Sequence, residues 1–312
     1  MHDLQQLIQQ IINGLSVGSI YALIAVGYTM VYGVLQLINF AHGDVFMVGA
    51  MVALVAARML GFVTPDHTVT AWSAVIAVST ISIVTCGLMG FLIERLAYRP
   101  LRDKPRINSL ITAIGISLFL EFGGQQVFGA TPQAFPAEMV PRIKGPLIAR
   151  WGIIIDRVDA LVLLVTLLIM GGLTYIVLKT RTGLGLRAVS FRYDTAALMG
   201  VNINRIVSFT FVLGSVLAAV AGLLYAVKYP SVNPLMGLLP GIKAFIAAVF
   251  GGIGNITGAV VGGLVLGLVE VLVVGYLPGG SQYRDAVAFL ILIAILLVKP
   301  SGLLGKHVVE KV

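Results

Sequence analysis

Two small polar clusters interrupt otherwise apolar sequence: Asn39-Phe40-Ala41-His42-Gly43-Asp44, and Gly251-Gly252-Ile253-Gly254-Asn255, which is followed closely by Thr257. The hydrocarbon of a bilayer offers a backbone no hydrogen-bond partners, so a broken helix there has to lie inside protein or beside a water-filled cavity. Paired interruptions in the two halves of a chain point to a solute path at the repeat interface of a transporter. The chemistry expected is passage of a solute rather than bond-making. At the first cluster, a helix starting at Gly43 turns its free N–H groups and positive dipole end toward the break, where a passing carboxylate is attracted. The competing reading has Asn39 or Asp44 capping that helix. His42 has no second His or Cys at ligand spacing, which argues against a metal. At the second cluster the glycines open the backbone to close approach, with Asn255 and Thr257 as the polar side chains; a clash-free turn is the plainer reading.

Other residues invite chemistry singly. Glu270 sits near the middle of an apolar stretch, where a carboxylate is costly and defaults to a functional reading: contact with an ammonium group, pairing with another helix, or protonation. Glu121 lies nearer the outer end of its stretch, where snorkelling suffices. Tyr21, Tyr28 and Tyr32 share one helix face, as packing or as path lining. Cys86, the single cysteine, excludes an internal disulfide and reads as a buried, inert thiol. Phosphate-loop, nucleophile-elbow, HExxH and CxxC patterns are all absent from the sequence, so the chain is not expected to be an enzyme, and any ATP hydrolysis belongs to separate subunits.

The elements that must hold these residues are membrane helices. The 312 residues are 58% hydrophobic and 11% charged, against about 25% charged in soluble domains. The expected fold is all-α: a single transmembrane domain over 1–312 with about eight spans and two pseudo-repeated halves. The spans fall at 11–37, 43–60, 72–94, 107–128, 158–178, 206–228, 256–274 and 285–299. A shorter piece, 241–252, reaches only about 18 Å at 1.5 Å per residue, so it reads as a re-entrant half-helix ending near mid-membrane. Hairpins 11–60 and 241–274 then correspond, each with a break at its turn. The pairs Gly14/Gly18, Gly258/Gly262 and Gly263/Gly267 are spaced for close helix contact.

Basic residues set the orientation. Loop 95–106 carries Arg95, Arg99, Arg102, Lys104 and Arg106; segment 179–205 carries Lys179, Arg181, Arg187, Arg192 and Arg205; the tail carries Lys299, Lys306 and Lys311. Connections 61–71 and 229–240 carry none, and the Pro-containing loop 129–157 reads as the main folded external loop. The N-terminus is expected outside and the C-terminus in the cytoplasm. The chain's opening, MHDLQQ, lacks the basic region of a cleavable signal, so the first apolar stretch reads as retained. Net charge of +8 thus reflects loop placement, with no nucleic-acid partner implied. Segment 181–205 is longer than a connector needs. Arg187, Ala188 and Phe191 fall on one face of a short helix that Gly200 and Asn202 can end, which suggests docking of a cytoplasmic protein.

At these residues the chain resembles a known family, the inner-membrane permease subunit (H-type) of bacterial branched-chain amino-acid ABC importers. The resemblance is carried by NGLSVGSIYALIAVGYTMVYGVLQLINFAHGD (13–44), IERLAYRPLR (93–102), ALMGVNINR (197–205), GIKAFIAAVFGGIGNITGAVVGGLVLGLVE (241–270) and KPSGLLG (299–305). It implies a multi-pass inner-membrane protein working with a second related permease, two cytoplasmic ATP-binding subunits and a periplasmic protein that delivers Leu, Ile or Val. It also implies that 181–205 is the coupling loop, with Arg187, Phe191, Arg192, Ala196, Gly200 and Asn202 meeting the ATPase. Ala196-Ala197-x-x-Gly200 departs from the EAA pattern of other importers, lacking the leading Glu and being one residue short. Related permeases carry urea, amides or other neutral amino acids. The competing functions are an ion-coupled secondary transporter with Glu270 and His42 as proton carriers, a membrane-embedded enzyme, and a passive channel.

Overall fold

Apolar windows as long as these leave the backbone one self-sufficient solution, the α-helix, and the computed structural model is built from helices accordingly. It describes residues 2–64, 68–102, 104–150 and 152–305; the expected tail lysines Lys306 and Lys311 lie outside them. The helices are α1 (His2–Leu35), α2 (His42–Met59), α3 (Trp72–Leu92), α4 (Arg106–Phe128), α5 (Arg157–Lys179), α6 (Arg181–Phe191), α7 (Tyr193–Leu198), α8 (Ile203–Lys228), α9 (Leu238–Gly251), α10 (Ile256–Tyr276) and α11 (Gly280–Val298). A π-helical stretch, Ile93–Tyr98, prolongs α3. Among the described residues, eight helical segments are long and apolar enough to cross a membrane, with Leu238–Gly251 as a shorter apolar helix, as the hydropathy pattern led one to expect.

The loop between α4 and α5 folds into β1 (Gln133–Ala134), β2 (Pro146–Arg150) and β3 (Ile153–Asp156). β2 and β3 form an antiparallel hairpin, and β1 pairs with β4 (Ser231–Val232) just past α8. These small strands gather at one end of the bundle, called here the hairpin end. The helices α6 and α7 lie at the other.

The glycine pairs do what their spacing implies. α1 and α10 run side by side so closely that a Cβ on Gly267 would stand 2.3 Å from Gly18 Cα, and one on Gly14 would stand 2.9 Å from Leu268 Cα. Gly258 and Gly262 serve the α9–α10 contact in the same way, against Gly251 and Ala247. Small residues let dispersion contacts and backbone dipoles come together where lipid supplies no hydrophobic drive. A Gly267→Val chain is therefore expected to lose at least 1–3 kcal/mol, about the usual cost of overpacking. The sign of that loss is a collapsed yield of monodisperse protein on size exclusion; an unchanged profile would refute the close α1–α10 seam.

The first interruption is deep, as expected. His42, at the start of α2, fills the space over Gly27 and Gly214, and Gly27 stands eight residues before the end of α1, about 12 Å along the axis. The depth expected for the second interruption is corrected. Gly254 packs beside Gly33, two residues from the end of α1, whereas the beginning of α9 is the deep part, with Gly237 and Gly241 against Gly43. A 14-residue helix spans about 21 Å, short of the ~30 Å hydrocarbon core, and its length does not say which of its ends is the deep one.

Candidate functional site

Three polar stations line up along α1. Tyr21, Tyr28 and Tyr32, on one face, each mark one of them.

The middle station is the first break. Tyr28 meets the His42 ring edge-on at 4.8 Å between centroids, and Phe245 of α9 lies 6.1 Å from Tyr28 and 6.2 Å from Phe40. Asn39 accepts a 3.1 Å hydrogen bond from Tyr98 Oη. Neither Asn39 nor Asp44 caps α2: Ala41 holds the N-cap position without a side-chain bond. Asp44 instead accepts from Ser117 Oγ at 2.5 Å, with the Glu121 carboxyl near it. Glu121 therefore turns inward against α2 and is buried, where snorkelling was expected. Gly43 gives the backbone room, its Cα side lying against Gly237 O and Gly241. Phe40 stands partly exposed on the molecular surface, while Asn39, His42 and Asp44 are buried.

The second station, at the α6 end, is the Gly251–Asn255 break. Gly252 (φ 108°) and Gly254 (φ 90°) take left-handed backbone that only glycine adopts cheaply. Asn255 caps α10, accepting from Gly258 N at 3.2 Å and donating to Leu304 O at 2.8 Å. The segment after α11 holds this turn in place: Leu303 N and Leu304 N donate to Phe250 O and Gly251 O at 2.8 and 3.0 Å. A Cβ on Gly302 would stand 2.5 Å from Gly252. Asn255 is thus committed to holding the turn; Thr257 and Gly254 are exposed beside it.

The third station, two helical turns from His42 toward the hairpin end, centres on Glu270, only 1% exposed. Tyr21 Oη and Lys243 Nζ each donate to its Oε1 at 3.2 Å, and Arg284 Nε donates to the same oxygen. Lys243 also pairs with Asp285 at 2.6 Å. Of the three options for Glu270, pairing with other helices is the one the structure brings about. Nearby, Lys228 pairs with Asp159 and donates to Ser16 Oγ at 2.9 Å. Lys243, Arg284 and Ser117 were invisible as partners in the sequence; the one signal pointing to them is that Glu270 and Asp44 are carboxylates within apolar sequence, and a charged residue inside a span asks for a partner.

Beyond the bundle, α6 is capped by Thr180, which accepts from Gly183 N at 3.1 Å. Its inner face holds Gly183, Leu186 and Val189. The outer face presents Leu184, Arg187 and Phe191, with Phe191 87% exposed. Arg192 stands between α6 and α7 as the N-cap of the latter, Ala196 is buried, and Leu198 and Met199 are 88% and 80% exposed. The helix that carries Arg187 and Phe191 ends at Phe191 rather than at Gly200: the chain breaks at Arg192, and Gly200 (φ 83°) follows the separate short α7. Asn202, expected to help end the first of these helices, caps the start of α8 instead by accepting from Arg205 N at 3.1 Å. The exposed Leu198 and Met199 were missed because the residues lie in no periodic apolar run. Cys86 is buried, its Sγ 3.7 Å from Val45 O. Among the described residues no group of His, Cys, Asp and Glu side chains is arranged to hold a metal ion.

The profile of one protein family, described as branched-chain amino acid transport system / permease component, matches residues 10–296. The high-affinity branched-chain amino acid transport system permease protein BraD of Pseudomonas aeruginosa is 43% identical over 312 residues, all of both chains. LivH of Escherichia coli, with the same description, is 42% identical over 305 residues, 98% of this chain and 97% of its own. A probable branched-chain amino acid transport permease of Methanocaldococcus jannaschii is 29% identical over 301 residues, covering 92% of this chain and 89% of its own.

Proposed function

We propose, for a chain that belongs to the family of branched-chain amino acid transport system permease components, that it carries leucine, isoleucine and valine across the bacterial inner membrane as one subunit of an ATP-driven importer. Hydrolysis takes place on two separate cytoplasmic ATP-binding subunits, a second related permease completes the passage, and a periplasmic binding protein delivers the solute. The chain needs no cofactor of its own. Its hairpin end, with the N-terminus, faces the periplasm; the α6 end, where the arginines of 95–106 and 181–205 gather, faces the cytoplasm, in keeping with the positive-inside bias.

One observation carries this reading. The non-helical segment returns from the end of α1 to His42, which packs over Gly27, and at Phe40, beside Phe245, it comes to the molecular surface at a depth where lipid has nothing to offer the backbone. That face belongs against another protein or along an aqueous path. Phe40 and Phe245 give the path apolar walls suited to a branched side chain, while Tyr28, Asn39, His42 and Asp44 stand buried behind them, close enough to tune the field yet not themselves solvent-lined. Gly43, Gly252 and Gly254 let helices and turns approach and rearrange, Thr257 borders the cytoplasmic mouth, and Asn255 keeps that mouth's shape.

Rebuilt in proteoliposomes with all partners, the assembly should take up leucine only with ATP present. Uptake without the ATP-binding subunits that a protonophore abolishes would replace this function with proton-coupled transport. The path itself is tested by cysteine labelling, for which the buried Cys86 leaves a quiet background. Phe40→Cys and Phe245→Cys should both react with a membrane-impermeant thiol reagent in the assembled transporter. If only a lipid-soluble reagent reaches them, the face lies against hydrocarbon and the path runs elsewhere.

A further inference from the structure

A cavity of about 460 Å³ opens in the hairpin-end half of the bundle between α1, α10, α11 and the end of α8, lined by Asn13, Val17, Lys228, Glu270, Val274 and Arg284 among others. It lies well inside the usual volume range for small-molecule sites, about 300–1,000 Å³, and it has their composition, apolar walls with a few convergent polar groups. Glu270 is 1% exposed, yet its second oxygen, Oε2, has no hydrogen-bond partner among the described residues. Its first oxygen already takes Tyr21, Lys243 and Arg284. A buried carboxylate oxygen left unpaired costs about 1–3 kcal/mol or more, so a donor from a visiting molecule gains what the protein itself leaves unsatisfied.

The charges around this cavity cancel. Glu270 and Asp285 face Lys243 and Arg284, and Lys228 faces Asp159. An entering cation or anion would upset a balance held at low dielectric, where uncompensated charge is expensive. A dipolar molecule without net charge would not. It can offer an ammonium to the buried, unpaired carboxylate oxygen and a carboxylate to the guanidinium side, with its apolar part against Val17 and Val274.

We propose that this cavity is a binding station for the zwitterion of an α-amino acid. Glu270 Oε2 accepts from the ammonium, Arg284 and Lys228 face the carboxylate, and net neutrality excludes singly charged analogues. The proposal rests on the transport function above and adds to it a site where the solute pauses after release from its external carrier.

Its test is equilibrium binding of radiolabelled leucine to the full-length chain with its co-purifying subunits in nanodiscs, without the external binding protein. Saturable binding is expected, displaced by unlabelled valine and at least tenfold less well by isopentylamine or 4-methylpentanoate, each of which lacks one of the two charges. Ser281 also lines the cavity and has no part in the ion pairs, so Ser281→Phe should fill the space and weaken binding at least tenfold with the unfolding temperature unchanged. Glu270→Gln should erase most of the preference for leucine over 4-methylpentanoate. No saturable binding, wild-type binding by a folded Ser281→Phe chain, or equal displacement by isopentylamine would each overturn the site. Those results leave receptor-driven, ATP-dependent uptake untouched, whereas loss of that uptake in the wild-type assembly would strike the transport function instead.

Discussion

Replacing Phe191 and Arg187 together by Ala is expected to cut ATP-driven leucine uptake by tenfold or more, with the permease still inserted and monodisperse. Phe191 is 87% exposed on the outer face of a helix whose inner face is anchored by Leu186 and Val189. Its removal therefore takes nothing from the fold. Burying one such side chain in a partner's surface gives about 1.5–3 kcal/mol, and 1.4 kcal/mol already changes an affinity tenfold. Arg187 adds a donor set on the same face. The force that ATP binding exerts on the permease has to pass through this patch, together with Leu198 at the end of α7 and Met199 just after it, if the segment is the coupling element. The measurement is uptake alongside ATPase activity in the same proteoliposomes: uptake should fall while basal hydrolysis persists. Uptake equal to wild type would remove 181–205 from the coupling role.

The second large effect concerns Glu94, whose side chain is fully buried, pairs with Arg102 and accepts from Ser208 Oγ at 2.5 Å. It ties the π-helical extension of α3 to α8. Arg102→Ala strands a carboxylate in the interior, and losing one partner of a buried pair costs about 3–5 kcal/mol. A sharp drop in the unfolding temperature of the detergent-purified protein should follow. The double variant Glu94→Leu with Arg102→Met removes both charges together, and it should recover most of the lost stability because apolar replacements of a buried pair are often neutral or better. An Arg102→Ala protein as stable as wild type would show that Glu94 is hydrated or otherwise compensated. A double variant no better than the single one would show that the pair's geometry, rather than its charge balance, holds α3 to α8.

Much of the architecture was legible without coordinates. Runs of about 20 apolar residues can only be helices in a membrane, so the eight spans were readable from hydropathy alone. Gly14, Gly18, Gly263 and Gly267 were legible as contact points because only residues without side chains allow helix axes so near. The break at Asn39–Asp44 was legible because polar residues at that depth contradict everything around them. The outer face of α6 was legible from the spacing of Arg187 and Phe191.

Other parts were not. Nothing local distinguishes the two ends of the short helix 238–251, so the Gly251–Asn255 turn was expected at mid-depth and lies instead beside Gly33, near the end of α1. Asn255 read as a polar side chain beside the turn, and only the fold shows that it bonds both Gly258 N and Leu304 O. Glu121 looked like a surface residue because its position along the span was known but its facing was not.

By itself, then, the order of residues determined that this is a bundle of membrane helices, where its helices break, and which end carries positive charge. Those properties depend on one segment's exchange between water and hydrocarbon, which composition and length decide. Only the tertiary structure decided that Glu270 meets Lys243 and Arg284, that Asp44 meets Ser117 and Glu121, and that Gly302 locks the turn at Gly252. When nearly every face of every helix is apolar, hydrophobicity no longer says which faces meet; shape and the pairing of a few buried charges do, and both exist only once the helices are side by side.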